Sequence, residues 1–259
     1  MKPKFTLILV AVLLLSGCPR KESTGFLMLD MAFQFNGSDV AFSESAYYTN
    51  SAGNRISIGE VKCFISEVAL VGQDGAVRPI AANEGIHYFD NALPATLSWT
   101  PADPVEAGNY KVLRFRFGLI DNQNTTGKFP NPPETNFAWP AMLGGGYHYM
   151  QINGKWLDGD EQKPLTLHTG RGQQRDSNDN ITGFVDNSFV VELPLDHFKI
   201  QENQTGRLTL VMDIARWFDT PNLYDIARFG SAIMQNQEAQ QALRENGVNV
   251  FTCNCPVRK

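Results

Sequence analysis

The sequence predicts an all-β fold, an antiparallel β-sandwich with long loops and a short C-terminal helical appendage. Three observations carry this. Runs with period-two alternation recur along the chain, turn residues separate them, and helix-friendly composition is confined to the end. In the first run Leu29, Met31, Phe33 and Phe35 alternate with Asp30, Ala32 and Gln34, as in a half-buried strand. Ile56-Ser57-Ile58 and residues 61–71 form a second β-rich run, which Asp74-Gly75 turns back through residues 77–80. In residues 109–117, Leu113, Phe115 and Phe117 are expected inward, with Arg114 and Arg116 outward. Further strands are expected at residues 147–152, 164–168, 188–193 and 208–214. Residues 121–146, with four prolines, and residues 158–183 read as long irregular stretches. Loops of that length in a compact domain are functional or covered. Residues 225–234 and 238–244 favour helix, and Asn246-Gly247 is a stop signal.

The N-terminus reads as an export leader. Lys2 and Lys4 precede an apolar run at residues 5–15, too short to span a bilayer as a helix and of the length of a signal-peptide core. Leu15-Ser16-Gly17-Cys18 resembles the lipobox of bacterial lipoprotein signal peptidase. Residues 1–17 are therefore expected to be a signal peptide, residues 18–25 a tether lipidated at Cys18, and residues 26–259 a single domain. Pro19 stands where an inner-membrane retention aspartate would sit, so an outer-membrane lipoprotein facing the periplasm or the cell surface is expected. The leader holds two of the 22 basic residues, leaving 20 against 27 acidic ones and a formal charge near −7. That balance argues against nucleic acid as a partner.

Cys63, Cys253 and Cys255 remain after processing. An exported chain meets oxidising conditions, so one bridge from Cys63 to Cys253 or Cys255 is expected, while Cys253 and Cys255 would bond to each other only with strain. Catalytic signatures are missing: there is no Gly-x-Ser-x-Gly, Walker loop, Cys-x-x-Cys-His or His-Glu-x-x-His, and a non-enzyme is expected. Residues 176–180 offer hard oxygen ligands that could hold calcium, although a solvated turn is the simpler reading.

Three stretches together resemble the MbnP-like domain family, copper-binding partner proteins named for methanobactin gene cassettes. The first runs from Tyr48-Thr49-Asn50 through Val61-Lys62-Cys63-Phe64 to Asp74-Gly75. The second is Ala107-Gly108-Asn109-Tyr110 with Leu113-Arg114-Phe115-Arg116-Phe117-Gly118-Leu119. The third is Gly146-Tyr147-His148-Tyr149-Met150-Gln151-Ile152-Asn153-Gly154, followed by Leu167-His168-Thr169-Gly170. The resemblance covers about residues 27–215. It implies an exported β-protein that binds copper and works beside a di-haem enzyme of the cytochrome c peroxidase type. In some members that enzyme oxidises a tryptophan to kynurenine, which joins two histidines at the metal. The familiar pattern has tryptophan two residues before a ligand histidine, and here that position is Gly146.

Set beside this resemblance, the histidines can be ranked. His148 and Met150 alternate on an expected strand and should leave one face, His168 ends another, and imidazole and thioether are both copper ligands. His148, His168 and Met150 are the candidate ligands, with Trp139 the nearest candidate for oxidation. His87 is a lesser alternative, and His197, in a polar stretch, is expected to face solvent. The competing reading is a structural or partner-binding β-sandwich without a metal.

Overall fold

Alternation of apolar and polar residues builds the first strand, β1 (Thr24–Phe35), in which every second side chain from Leu27 to Phe35 is buried. The computed structural model describes residues 23–255. The expected signal peptide, Cys18 and the start of the expected tether lie outside the described residues. A tight turn at Asn36-Gly37 leads into β2 (Ser38–Asp39), and β3 (Ser43–Thr49) precedes the longest strand, β4 (Arg55–Gly72). Asp74-Gly75 closes the hairpin to β5 (Val77–Pro79), as its sequence requires. Then come β6 (His87–Asp90), β7 (Ser98–Trp99), β8 (Val105–Glu106) and β9 (Gly108–Phe117). On β9, Leu113, Phe115 and Phe117 are buried, while Arg114 and Arg116 pair with Glu192 and Glu67.

The second half holds β10 (Met150–Asp158), β11 (Glu161–Thr169), β12 (Gly172–Arg175), β13 (Ile181–Val185), β14 (Phe189–Ile200), β15 (Thr205–Asp213) and β16 (Phe251–Asn254). Residues 158–183, expected to be irregular, thus form two hairpins. The stretch at 121–149 is the one that stays irregular, apart from short 3-10 turns. Two helices complete the chain, α1 (Ile226–Phe229) and α2 (Gln237–Gly247). Asn236 caps α2 by accepting a hydrogen bond from the Ala239 amide at 3.0 Å. Among the described residues no helix is long and apolar enough to cross a membrane.

The strands form two large sheets that face each other. One has the order β11-β10-β4-β9-β14, with β3, β5 and β6 also on β4. The other has the order β16-β15-β1-β2, with β7 and β8 on β1. All of these pairings are antiparallel except β1 with β15, which is parallel, so the sandwich departs from the expected antiparallel one at that seam. The inner faces share one core, from Leu29 and Leu210 on one sheet to Ile58, Phe115 and Ile152 on the other. Phe64, between Cys63 and Ile65 on β4, points the opposite way. It enters a second apolar cluster with Tyr88, Phe137, Tyr147 and Tyr149. The long loop at 121–149 therefore lies over the outer face of the eight-stranded sheet, and that layer positions the site.

Candidate metal centre

His168 projects from the outer face of β11. Its register partner on β10 is Gln151, and Gln151 and Asn153 are half-buried while Met150 and Ile152 point into the core. His168 Nε2 lies 2.7 Å from Asn153 Oδ1. An amide oxygen only accepts, so Nε2 carries the hydrogen and Nδ1 keeps the lone pair. Asn153 Nδ2 in turn donates to Glu60 Oε2 at 2.7 Å, and Lys62 Nζ meets Glu60 Oε1 at 2.6 Å. Three side chains from β4 and β10 thus fix the ring of one histidine on β11.

His148 comes from the loop layer. The peptide N–H of His148 donates to Phe137 O at 3.0 Å, and that of Trp139 to Gly146 O at 2.9 Å, so residues 137–148 form a small hairpin. Gly144, Gly145 and Gly146 make its return, with φ of 109°, 64° and 85°, a left-handed run that side chains resist. His148 Nδ1 also lies 3.0 Å from Phe137 O, which assigns its hydrogen to Nδ1. The other nitrogen, Nε2, is buried and has no hydrogen-bond partner.

The two imidazoles meet nearly at right angles, with ring centres 5.2 Å apart. Two imidazoles sharing one ion at metal–nitrogen distances of about 2.0–2.1 Å have ring centres roughly 5–6 Å apart. Trp139 stands edge-to-face against His148 at 4.8 Å, and its indole N–H donates to Leu143 O at 3.1 Å. Gly170 packs under the indole so closely that an added Cβ would come 2.7 Å from Trp139 Cε3. Gln240 of α2 holds Gly170 there, accepting its amide at 3.1 Å. Burial is the main influence on both histidines and pushes each pKa down to about 4. For His168 the Glu60 carboxylate opposes this, and for His148 the Phe137 carbonyl does. Both rings are neutral at neutral pH, the form that binds a metal. A buried orphan nitrogen, a fixed tautomer on each ring and neutral imidazoles fit a borderline ion such as copper. Among the described residues no group of three or more His, Cys, Asp or Glu side chains converges, so the site offers two nitrogens and an aromatic wall.

The structure corrects two expectations. Met150 does not share a face with His148. The chain bends at Tyr149 before β10 begins, and Met150 is fully buried in the main core opposite Cys63 and Thr169. No disulfide forms either: Cys63, Cys253 and Cys255 are free thiols. Cys63 lies mid-sheet on β4 between Phe89 and Met150, while Cys253 pairs with Leu210 at the edge of the other sheet. His87 is elsewhere, stacked on Trp99 at 5.0 Å with Nε2 2.8 Å from Thr96 O. His197 is 95% exposed and lies 3.3 Å from Asp196. The calcium candidate is a turn closed on itself, with Asp176 Oδ1 accepting from the amides of Asn178 and Asn180.

Sequence reasoning did not single out Asn153, Glu60, Lys62, Phe137 or Gln240. The run of three glycines at 144–146 was the available signal for the hairpin. Through it Trp139 pairs with Gly146, two residues before His148.

Comparison with known proteins agrees with this architecture. No curated protein matches the chain. The solved structure of MbnP from Methylosinus trichosporium is similar, with a TM-score of 0.56 at 15% identity, over 90% of this chain and 99% of that one. A family profile described as MbnP matches residues 24–236, and the chain belongs to the MbnP family.

Proposed function

We propose that this is an exported, lipid-anchored copper-binding protein that sequesters or hands on copper in the cell envelope without itself being an enzyme. The observation that carries the copper reading is the buried, unpartnered Nε2 of His148 beside the ring of His168. An imidazole nitrogen left unpaired in the interior costs free energy unless something takes its lone pair, and an ion does so. Membership of the MbnP family adds support, since the resemblance implies copper. The lipobox at Leu15-Ser16-Gly17-Cys18 supports the anchor, and Pro19 supports outer-membrane attachment. A di-haem partner of the cytochrome c peroxidase type belongs to the same reading. Trp139 is the tryptophan on which it would act, because it alone of the four tryptophans is seen against His148.

Copper titration of the protein and of His148→Ala, His168→Ala and His197→Ala tests the reading. One equivalent is expected at the histidine pair, lost or strongly weakened with the first two changes and kept with the third. Equal affinity in all three variants would remove copper from this site, and absence of binding in the unmodified protein would remove the function. The anchor has its own test. Cys18→Ser should accumulate as an uncleaved, unlipidated precursor, and normal processing of that variant would contradict it.

A further inference from the structure

β16 carries Cys253, and Cys255 follows directly after its last residue, Asn254. Phe251 is buried, Thr252 and Asn254 are exposed, and the two cysteines are half-buried and pack against the main core, so both thiols lie on the inward side of this end of the chain. Nearby, β14 loses register with β9 between Pro194 and Phe198, where His197 adopts φ 51°. A recess of about 740 Å³ opens there, lined by both cysteines together with Asp196, His197, Lys199 and Arg207.

We propose that Cys253 and Cys255 form a two-thiolate site for a soft monovalent ion, Cu(I), separate from the histidine pair. Two residues of extended strand span about 6.4–6.8 Å between Cα atoms. That is the far limit for a disulfide, and both cysteines are indeed free. Two thiolates on either side of one ion stand roughly 4.6 Å apart at metal–sulfur bonds of about 2.3 Å, which same-face side chains two residues apart can reach. Coordination number selects the ion. No third His, Cys, Asp or Glu completes a cluster among the described residues. Structural zinc, with four donors, and calcium, with six to eight, are therefore unmet, while thiolate sulfur favours Cu(I).

Charge agrees with this choice. Two thiols release two protons on binding Cu(I), and the S–Cu–S unit carries one negative charge with no change in oxidation state. Lys199, which makes no ion pair among the described residues, lines the same recess and offsets it, while Arg207 there is paired with Asp30. Without metal, burial pushes the Cys253 thiol up to about 12 and raises Cys255 as well, so both stay protonated and slow to oxidise.

The test uses the protein with His148→Ala and His168→Ala, reduced and free of oxygen, titrated with Cu(I) against a chromophoric Cu(I) chelator. One equivalent is expected to bind, and to be lost when Cys253→Ser or Cys255→Ser is added. A second measurement needs no cysteine substitution. Cu(I) should protect Cys253 and Cys255 of the unaltered protein from iodoacetamide, read by mass spectrometry. Binding that survives both serine changes, or labelling that Cu(I) leaves unchanged, overturns the proposal. Because the histidines are absent from the titration, its failure is distinct from failure of the histidine site.

Discussion

Replacing Asn153 with leucine would cut the chain of hydrogen bonds that orients His168 while leaving the sheet intact. Both side chains have four heavy atoms and branch at Cγ, and residue 153 keeps its place on β10 between Glu60 and Thr166 through its backbone. Two side-chain bonds are lost, one with His168 Nε2 and one with Glu60 Oε2, each 2.7 Å long. Glu60 retains Lys62 at 2.6 Å, so no carboxylate is stranded. The stability cost is about 1–2 kcal/mol, from roughly 0.5–1.5 kcal/mol per bond with a discount for partial exposure. At the metal the effect is larger. The His168 ring is no longer held in one tautomer and orientation, and loss of such an outer partner lowers metal affinity about 10–100-fold, or about 1.4–2.7 kcal/mol. Competition titration with copper, run beside thermal unfolding, separates the two effects. A lowered Tm with unchanged copper affinity would refute the orienting role of Asn153.

Three further outcomes follow from the packing and the charge. His87, His148 and His168 all have a folded pKa of about 4 because of burial. The unfolded chain therefore binds more protons between about pH 6.5 and about pH 4, and stability should fall as pH drops through that window. Denaturant midpoints that stay constant from about pH 7 to about pH 4.5 would contradict this. Gly170→Ala drives a Cβ to 2.7 Å from the Trp139 ring. It should cost about 1–3 kcal/mol and weaken copper binding, whereas an unchanged Tm would show that the indole has room to move. Phe64→Ala removes a fully buried ring that contacts Tyr88, Phe129, Phe137 and Tyr147 beneath the site. A loss of about 3–5 kcal/mol is expected in equilibrium unfolding, and a loss under about 1 kcal/mol would mean that the outer layer does not depend on this ring.

Local pattern made the half-buried strands legible. β1 and β9 alternate cleanly because one face meets the core and the other is wet, and Asp74-Gly75 announces its own turn. The pairing of β1 with β15 was not legible, because a register between residues 179 apart leaves no local trace. β11 was only partly read. Its first half, Glu161-Gln162-Lys163-Pro164, is exposed or half-exposed on both sides and lacks alternation, so the hairpin with β10 looked like loop. Of the site, the two histidines and Trp139 were visible as residue types, and the structure brings all three together. Met150 was misplaced because period-two counting assumes a continuous strand, and a single bend at Tyr149 reverses every face after it. Asn153, Glu60 and Lys62 could not be found from sequence. Their role depends on the register of β4, β10 and β11, and each alone is an ordinary polar strand residue.

Locating the metal itself tests the central claim most directly. Crystals of the copper-loaded protein, measured for anomalous scattering from copper, should show a peak bonded to His148 Nε2, the nitrogen now without a partner, with His168 as the second imidazole ligand. A fully loaded protein with no copper between His148 and His168, and with His148 Nε2 still unpartnered, would contradict the account.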